Sequence, residues 1–316
     1  MIIDARDRET IKNIIATVAY YDALNYPLTA FEVWKYLMCA QYYDEAHVHG
    51  NVSLGDVVRL LQHESVRVLV EQNNGMYVLK GRKELAMRRI RQEKISVSKL
   101  KRLRGVVKIF KYVPYVRMIG VTGTLAMRSA SSKSDWDLLV VLSSGKIWTG
   151  RTLVTAVAHL IGKRRHGSKI KDRLCLNYFI TDKTLEVITK DLFSAHEYSF
   201  LLPLFDGVTY EKFQLKNRWI KKIKPQYSVT EILPLGMCKD GVFSKFVRHV
   251  GEKILSWKKV EDFLGTLEYK KIMQNPNTKR ESGLIYADSE ALIFLPEPKG
   301  PRIFQKFKDN ITMLYS

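Results

Sequence analysis

The sequence predicts an α+β fold, and three observations carry that reading. Apolar residues recur at helical spacing through the first sixty positions and again across the second half of the chain. Two short strand-like runs, 66–71 and 76–79, flank Gln72-Asn73-Asn74-Gly75, a good hairpin signal. A glycine turn at Gly123 lies between two further strand-like runs, 116–121 and 136–142.

From the N-terminus, 10–24 carries Ile11, Ile14, Ile15, Val18 and Ala19 as a helical stripe that Tyr26-Pro27 ends. Thr29 then serves as N-cap of a second helix with Phe31, Val33, Trp34 and Leu37 on its apolar side. A third helix over 53–62 presents Leu54, Val57, Val58, Leu60 and Leu61. Three helices followed by a hairpin is the order of a winged helix, so 1–82 is expected to be a winged-helix-like domain. Such units usually bind DNA through the third helix, yet 53–62 offers only Arg59 as a base-reading cation. Winged helices also serve as protein docking modules or rigid spacers.

A basic helical linker is expected over 83–112. Within 80–111 there are thirteen Lys or Arg against two acids, Glu84 and Glu93, with Ile90, Ile95, Val97, Leu100, Leu103, Val106, Val107 and Phe110 available to pack inward. The cations read either as a solvated helix face or as a phosphate-tracking surface through which nucleic acid is a candidate partner.

The chemistry concentrates in 113–190. Asp135 and Asp137 enter an apolar run two residues apart, so on a strand they share one face at roughly 7 Å between Cα atoms. Like charges there repel unless a cation lies between them, and Mg²⁺ suits carboxylate oxygens while leaving positions for phosphates. Upstream, Gly123 permits a tight turn, and Thr124 is expected as N-cap of a short helix, its hydroxyl and the free backbone N–H groups facing a phosphate. The plainer reading makes Ser134-Asp135 an ordinary turn and Asp137 a strand-edge charge answered by a basic neighbour.

Gly123-Thr124, a polar loop, Ser134-Asp135-Trp136-Asp137 and an aliphatic strand resemble the core motif of the DNA polymerase β-like nucleotidyltransferase superfamily, in which Gly-Ser is the commoner first element. The resemblance is closest to bacterial members with an N-terminal winged-helix-like segment. It extends through 26–29, 77–82, 174–179 and 217–220, covering about residues 10–225. It implies a small mixed-sheet core over 113–190 and attack by a substrate hydroxyl on the α-phosphate of a nucleoside triphosphate. Asp135 and Asp137 would then hold Mg²⁺ or Mn²⁺, and Gly123, Thr124, Lys133 and Ser134 the triphosphate.

The superfamily usually adds a third carboxylate on a neighbouring strand. Here that strand, 173–180, carries Asn177, which completes the candidate catalytic set but has no charge and cannot act as a base near neutral pH. Three accounts stay open. Asp172, Asp182 or Glu186 reaches the site instead; or two carboxylates suffice and solvent or substrate phosphate takes the proton; or the domain binds a nucleotide without turning it over.

Beyond the core, 147–161 reads as an apolar helix closed by Gly162 and a basic loop, where Lys171 and Arg173 can face phosphates or simply solvent. The region 191–316 is expected to be mainly helical, over 191–202, 210–222, 242–272 and 301–313, covering the core and shaping the acceptor pocket. The chain has 316 residues, 52 Lys and Arg against 32 acids, a net charge of +20 and 46% hydrophobic content, which favours several compact units that meet polyanions. Cys39, Cys175 and Cys238 form no paired motif, so neither a disulfide framework nor structural zinc is expected. His47 and His49, with Cys39 or His63, are the remaining metal-like set, but His-Val-His in a polar loop reads as solvated. His196 and His249 fall on helical segments as core or surface residues. The charged N-terminus and the lack of an apolar run near 18 residues predict a cytoplasmic protein without membrane association.

The leading expectation is a metal-dependent nucleotidyltransferase with an unidentified hydroxyl acceptor. The alternatives are a winged-helix DNA-binding regulator and an antitoxin-like protein with a protein partner, either with a weakly active or inactive nucleotide-binding domain.

Overall fold

Local capping decides where the first helices begin. The computed structural model describes residues 4–39, 52–228, 236–279 and 283–315. Asp4 caps α1 (Ala5–Ala23) by accepting from the Asp7 N–H. Thr29–Glu32 and Ser53–Asp56 form reciprocal capping boxes at α2 (Ala30–Lys35) and α3 (Leu54–Leu61). The run expected as a strand from residue 66 instead opens with a helical turn, α4 (Glu64–Arg67). His63 caps that turn and Val66 is buried beneath it, so the strand β2 starts only at Val70 (Val70–Asn73). Asn74 and Gly75, both at positive φ, turn it into β3 (Met76–Leu79). A two-residue strand, β1 (Leu28–Thr29), pairs with the other edge of β3.

The basic segment is one helix, α5 (Glu84–Phe110). Leu100, Leu103, Val106, Val107 and Phe110 pack inward, whereas Val97, expected inside, is exposed.

α5 covers one face of a six-stranded mixed sheet built from β4 (Val116–Val121), β5 (Trp136–Leu142), β6 (Leu174–Thr181), β7 (Leu202–Phe205), β8 (Leu284–Ala287) and β9 (Ala291–Leu295), in the order β7-β4-β5-β6-β9-β8. Only β5 and β6 are parallel, joined across α7 (Ile147–Leu160) as a parallel pair requires. The short α6 (Gly123–Ala126) lies between β4 and β5. Three of the six strands come from beyond residue 190, a region read from sequence as mainly helical.

Alternation along β5 divides the core in two. Trp136, Leu138, Val140 and Leu142 face α5 and α7, while Leu139 and Val141 face the opposite side. There they meet α8 (Leu192–Ser199) and α9 (Gly207–Lys216), which a short α10 (Ile220–Ile223) follows. The same cluster continues into α1, α2 and α3, so the N-terminal helices share a core with the sheet. The expected helix 242–272 is broken at residues 255–257 into α11 (Val242–Ile254) and α12 (Lys258–Gln274). The final helix, α13 (Lys299–Tyr315), packs along α1 and α8, and its buried Asn310 donates to the Ala19 carbonyl and to Asp22. Among the described residues no helix is long and apolar enough to cross a membrane.

One buried charge positions the loop before β5. Lys99 of α5, fully buried, donates to the Ser134 carbonyl at 2.7 Å and to Asp172 at 2.8 Å, and Arg102 adds a second contact to Asp172. Lys99→Ala is expected to cost about 3 kcal/mol, the lower end for stripping one partner from a buried pair, because Arg102 remains. Urea denaturation checks it; an unchanged midpoint would remove Lys99 from the account.

Candidate active site

β5 delivers the two carboxylates as its alternation requires. Trp136 is buried in the α5/α7 side of the sheet, so Asp135 and Asp137 turn to the other side. Oxygens of Asp135 and Asp137 and the Cys175 sulfur all lie within 4.8 Å of one another. Burial pushes the Asp137 carboxyl above its ordinary range and the Asp135 charge adds to this, against the pull of Lys299, Cys175 and Arg165. Arg165, from the basic loop after α7, sets Nη1 2.6 Å from Asp135 Oδ2 and 3.5 Å from Cys175 Sγ. Asp135 is thus held by a half-exposed internal cation.

Gly123 is required twice over. Its φ is +64°, and a Cβ there would lie 2.8 Å from Asp137 Oδ2. The adjacent Thr122 N–H donates 3.0 Å to the Asp137 carbonyl, closing β4 against β5. The short helix starts two residues earlier than expected, with Thr122 rather than Thr124 as N-cap and the left-handed residue Gly123 as its first position. Thr124 and Lys133 are exposed and outside the lining of the large cleft described below. Ser134 Oγ donates to the Ser131 carbonyl, and its own carbonyl accepts from Lys99. Of the four residues expected around a triphosphate, the fold brings Gly123 against Asp137.

A further carboxylate approaches from a helix, outside the cluster of Asp135, Asp137 and Cys175. Glu197 of α8 stands next to Asp137; burial, with the Asp137 charge, pushes its carboxyl up to about 7, while Lys299 and hydrogen bonds from the Gly123 N–H and Thr122 favour the charged form. The three acids weighed from sequence are engaged elsewhere. Asp172 is held by Lys99 and Arg102, Asp182 accepts from the Ser144 N–H and faces Arg117, and Glu186 pairs with Lys190. On β6 the residue level with Asp137 is Cys175; the register then slips, and Asn177 falls within that irregularity while still lining the cleft. Glu197 carried one sequence signal, a lone acid among the buried Ser194, Ala195, His196 and Tyr198.

The carboxylates open into a cleft of about 1030 Å³, lined also by Asn177, Arg165, Lys299, Phe294 and Pro301. That volume is at the upper end for a small-molecule site and accommodates a nucleotide. The donor set fits a hard divalent cation. Two carboxylates supply the oxygen ligands such an ion takes, with the Cys175 sulfur beside them and its thiol pushed up to about 12 by burial and the neighbouring acids.

Of the histidines singled out from sequence, those among the described residues do not line the cleft, whereas His166 does. His47 and His49 lie outside the described residues, His63 caps α4, and the buried His196 contacts the Tyr21 hydroxyl and Met127 Sδ. His249 is exposed on α11.

Gly123→Ala tests the cradle. The variant is expected to fold while binding Mn²⁺ at least about tenfold more weakly by calorimetry, a displacement of Asp137 worth at least ~1.4 kcal/mol; unchanged affinity would place the cation elsewhere. No family model matches the chain, and neither a curated protein nor a solved structure matches it, so the grouping of Asp135, Asp137, Glu197 and Gly123 stands on its own geometry.

Proposed function

We propose that this chain is a metal-dependent nucleotidyltransferase of the DNA polymerase β-like kind, moving a nucleoside monophosphate from a nucleoside triphosphate to a hydroxyl acceptor. The observation that carries the reading is the pairing of two carboxylates, Asp135 and Asp137, beside a glycine whose side-chain position is taken by one of them, with the Glu197 carboxyl near enough to feel the Asp137 charge and accept from the Gly123 N–H. The order of strand, glycine turn, short helix, strand, helix and parallel strand agrees with the small mixed core that the resemblance implies.

Asp135 and Asp137, with Glu197 beside them, would hold Mg²⁺ or Mn²⁺. When bound, the ion supplies charge neutralisation at the transferring phosphoryl group and a template for the attacking and leaving oxygens. Glu197 supplies the proton acceptor that Asn177 cannot: the acceptor oxygen forms its bond to the α-phosphorus, its proton passes to Glu197, and pyrophosphate leaves with the electron pair of the broken P–O bond. Arg165 and Lys299 are the cations placed to meet the triphosphate, Arg165 exchanging Asp135 for a phosphate oxygen.

A second reading, a nucleotide-binding domain without turnover, is favoured by one observation: Arg165 already answers Asp135 from within the chain. A DNA-reading role for the winged-helix-like N-terminal segment is less supported. Arg59, the single cation on α3, is gripped by both oxygens of Asp7 at 2.8 Å and lies near Asp56.

Labelled nucleotide incorporation in Mg²⁺ or Mn²⁺ is expected to fall roughly 10³-fold in Asp135→Ala plus Asp137→Ala, the loss of several kcal/mol of charge stabilisation. Glu197→Gln is expected to lower the rate about 10²- to 10⁴-fold with triphosphate binding retained; full activity would exclude it as base. Arg165→Ala is expected to tighten Mn²⁺ binding without nucleotide about two- to fivefold, the worth of a partly exposed ion pair. Calorimetry showing tight triphosphate binding with no incorporation by the native chain would favour the second reading.

A further inference from the structure

α11 is docked inside out. Its inward face is polar: Ser244 is buried, Arg248 pairs with Asp240 at 2.6 and 3.0 Å and donates to the Lys111 carbonyl, and Glu252 pairs with Arg117 at 2.8 Å. Glu252 also accepts from the Tyr115 N–H, and Gly251 sits so close to Pro114 that a Cβ would lie 2.5 Å from its Cγ. These contacts recur at 244, 248, 251 and 252, one helical face. The opposite face holds Val242, Phe243, Phe246, Val250 and Ile254, continued by Trp257, and all six are exposed, Val242 by 87% and Trp257 by 71%.

Helices on globular proteins ordinarily turn such a stripe inward. Rolling α11 over to bury it would break both ion pairs, so the polar anchors hold the apolar face out in water. An apolar face of this extent marks a contact surface.

The charge around it restricts what covers it. Between 239 and 260 the acids are Asp240 and Glu252, and both point inward to Arg248 and Arg117. Lys245, His249 and Lys253 are exposed and follow one another at four-residue steps along one flank of the stripe. We propose that α11 docks an acidic amphipathic helix of a partner protein, whose apolar seam covers Phe243, Phe246 and Val250 and whose Asp or Glu row meets Lys245 and Lys253. The apolar positions 243, 246 and 250 have the three-and-four spacing of a helix–helix seam, and a one-sided row of cations has its complement in the charged flank of such a helix. A second copy of this chain would bring a net charge of +20 against its own like. A bilayer meets both flanks of a helix alike.

The test uses the full chain and a fluorescein-labelled designed helix with a leucine seam and a glutamate flank, beside the same peptide with lysine for glutamate, read by anisotropy. Saturable binding of the glutamate peptide is expected, at least about tenfold weaker with Phe243→Ser plus Phe246→Ser and several-fold weaker with Lys245→Glu plus Lys253→Glu, as desolvated anchors and partly screened rim charges respectively imply. Circular dichroism confirms that the variants fold. No saturable binding, equal binding of the two peptides, or indifference to these substitutions would overturn the proposal. So would preferential sedimentation with phosphatidylserine vesicles that the Phe substitutions abolish, which would assign the face to a membrane surface.

Discussion

A carboxylate rooted in an otherwise apolar strand needs its charge answered, and much of the site follows from how this chain answers Asp137. The backbone comes close on one side because residue 123 has no side chain. Arg165 and Lys299 bring positive charge from two distant segments, a loop after α7 and the first turn of α13. Burial, with the Asp135 charge, raises the protonation range of Asp137, and burial, with the Asp137 charge, raises that of Glu197. A grouping of acids that opposes its own ionisation draws positive charge, which accounts for the guanidinium beside Asp135.

The same logic of remote charges holds the framework around the cleft. α7 has no cap from its own sequence; Glu261 of α12 accepts the Trp148 and Thr149 N–H groups at 2.9 Å and so supplies one. Arg151 of the same helix pairs with Glu268, about two turns further along the same face of α12. Lys99 reaches from α5 to the residue preceding Asp135. Helices that flank the site are therefore fastened by buried or half-buried ionic contacts, with apolar packing concentrated between strands and the helices nearest them. Such fastening frees the apolar face of α11 from a structural role.

Which features could be read in advance follows from their range. Capping boxes at Thr29 and Ser53 and the hairpin at Asn74–Gly75 are interactions between residues within three or four positions of each other. The pair at Asp135 and Asp137 was legible because strand alternation alone sets their shared face, and Gly123 because few other residues occupy its backbone conformation. Strands β7, β8 and β9 were not, since runs of four or five residues without alternation acquire their form only from the partners they pair with. Glu197 was passed over for a similar reason: it lies sixty residues from Asp137, and helical periodicity does not say which site an inward-facing acid approaches.

The sequence by itself determined the α+β class, the starts of the early helices, and a glycine turn facing two acids on one strand, all set by forces acting over a few residues. Tertiary structure alone decided that Glu197 comes near Asp137, that Arg165 answers Asp135, and that α11 turns its apolar side outward. Those outcomes depend on which remote surfaces meet, and ionic contacts such as Arg248–Asp240 and Glu252–Arg117 can override the side a hydrophobic pattern would choose.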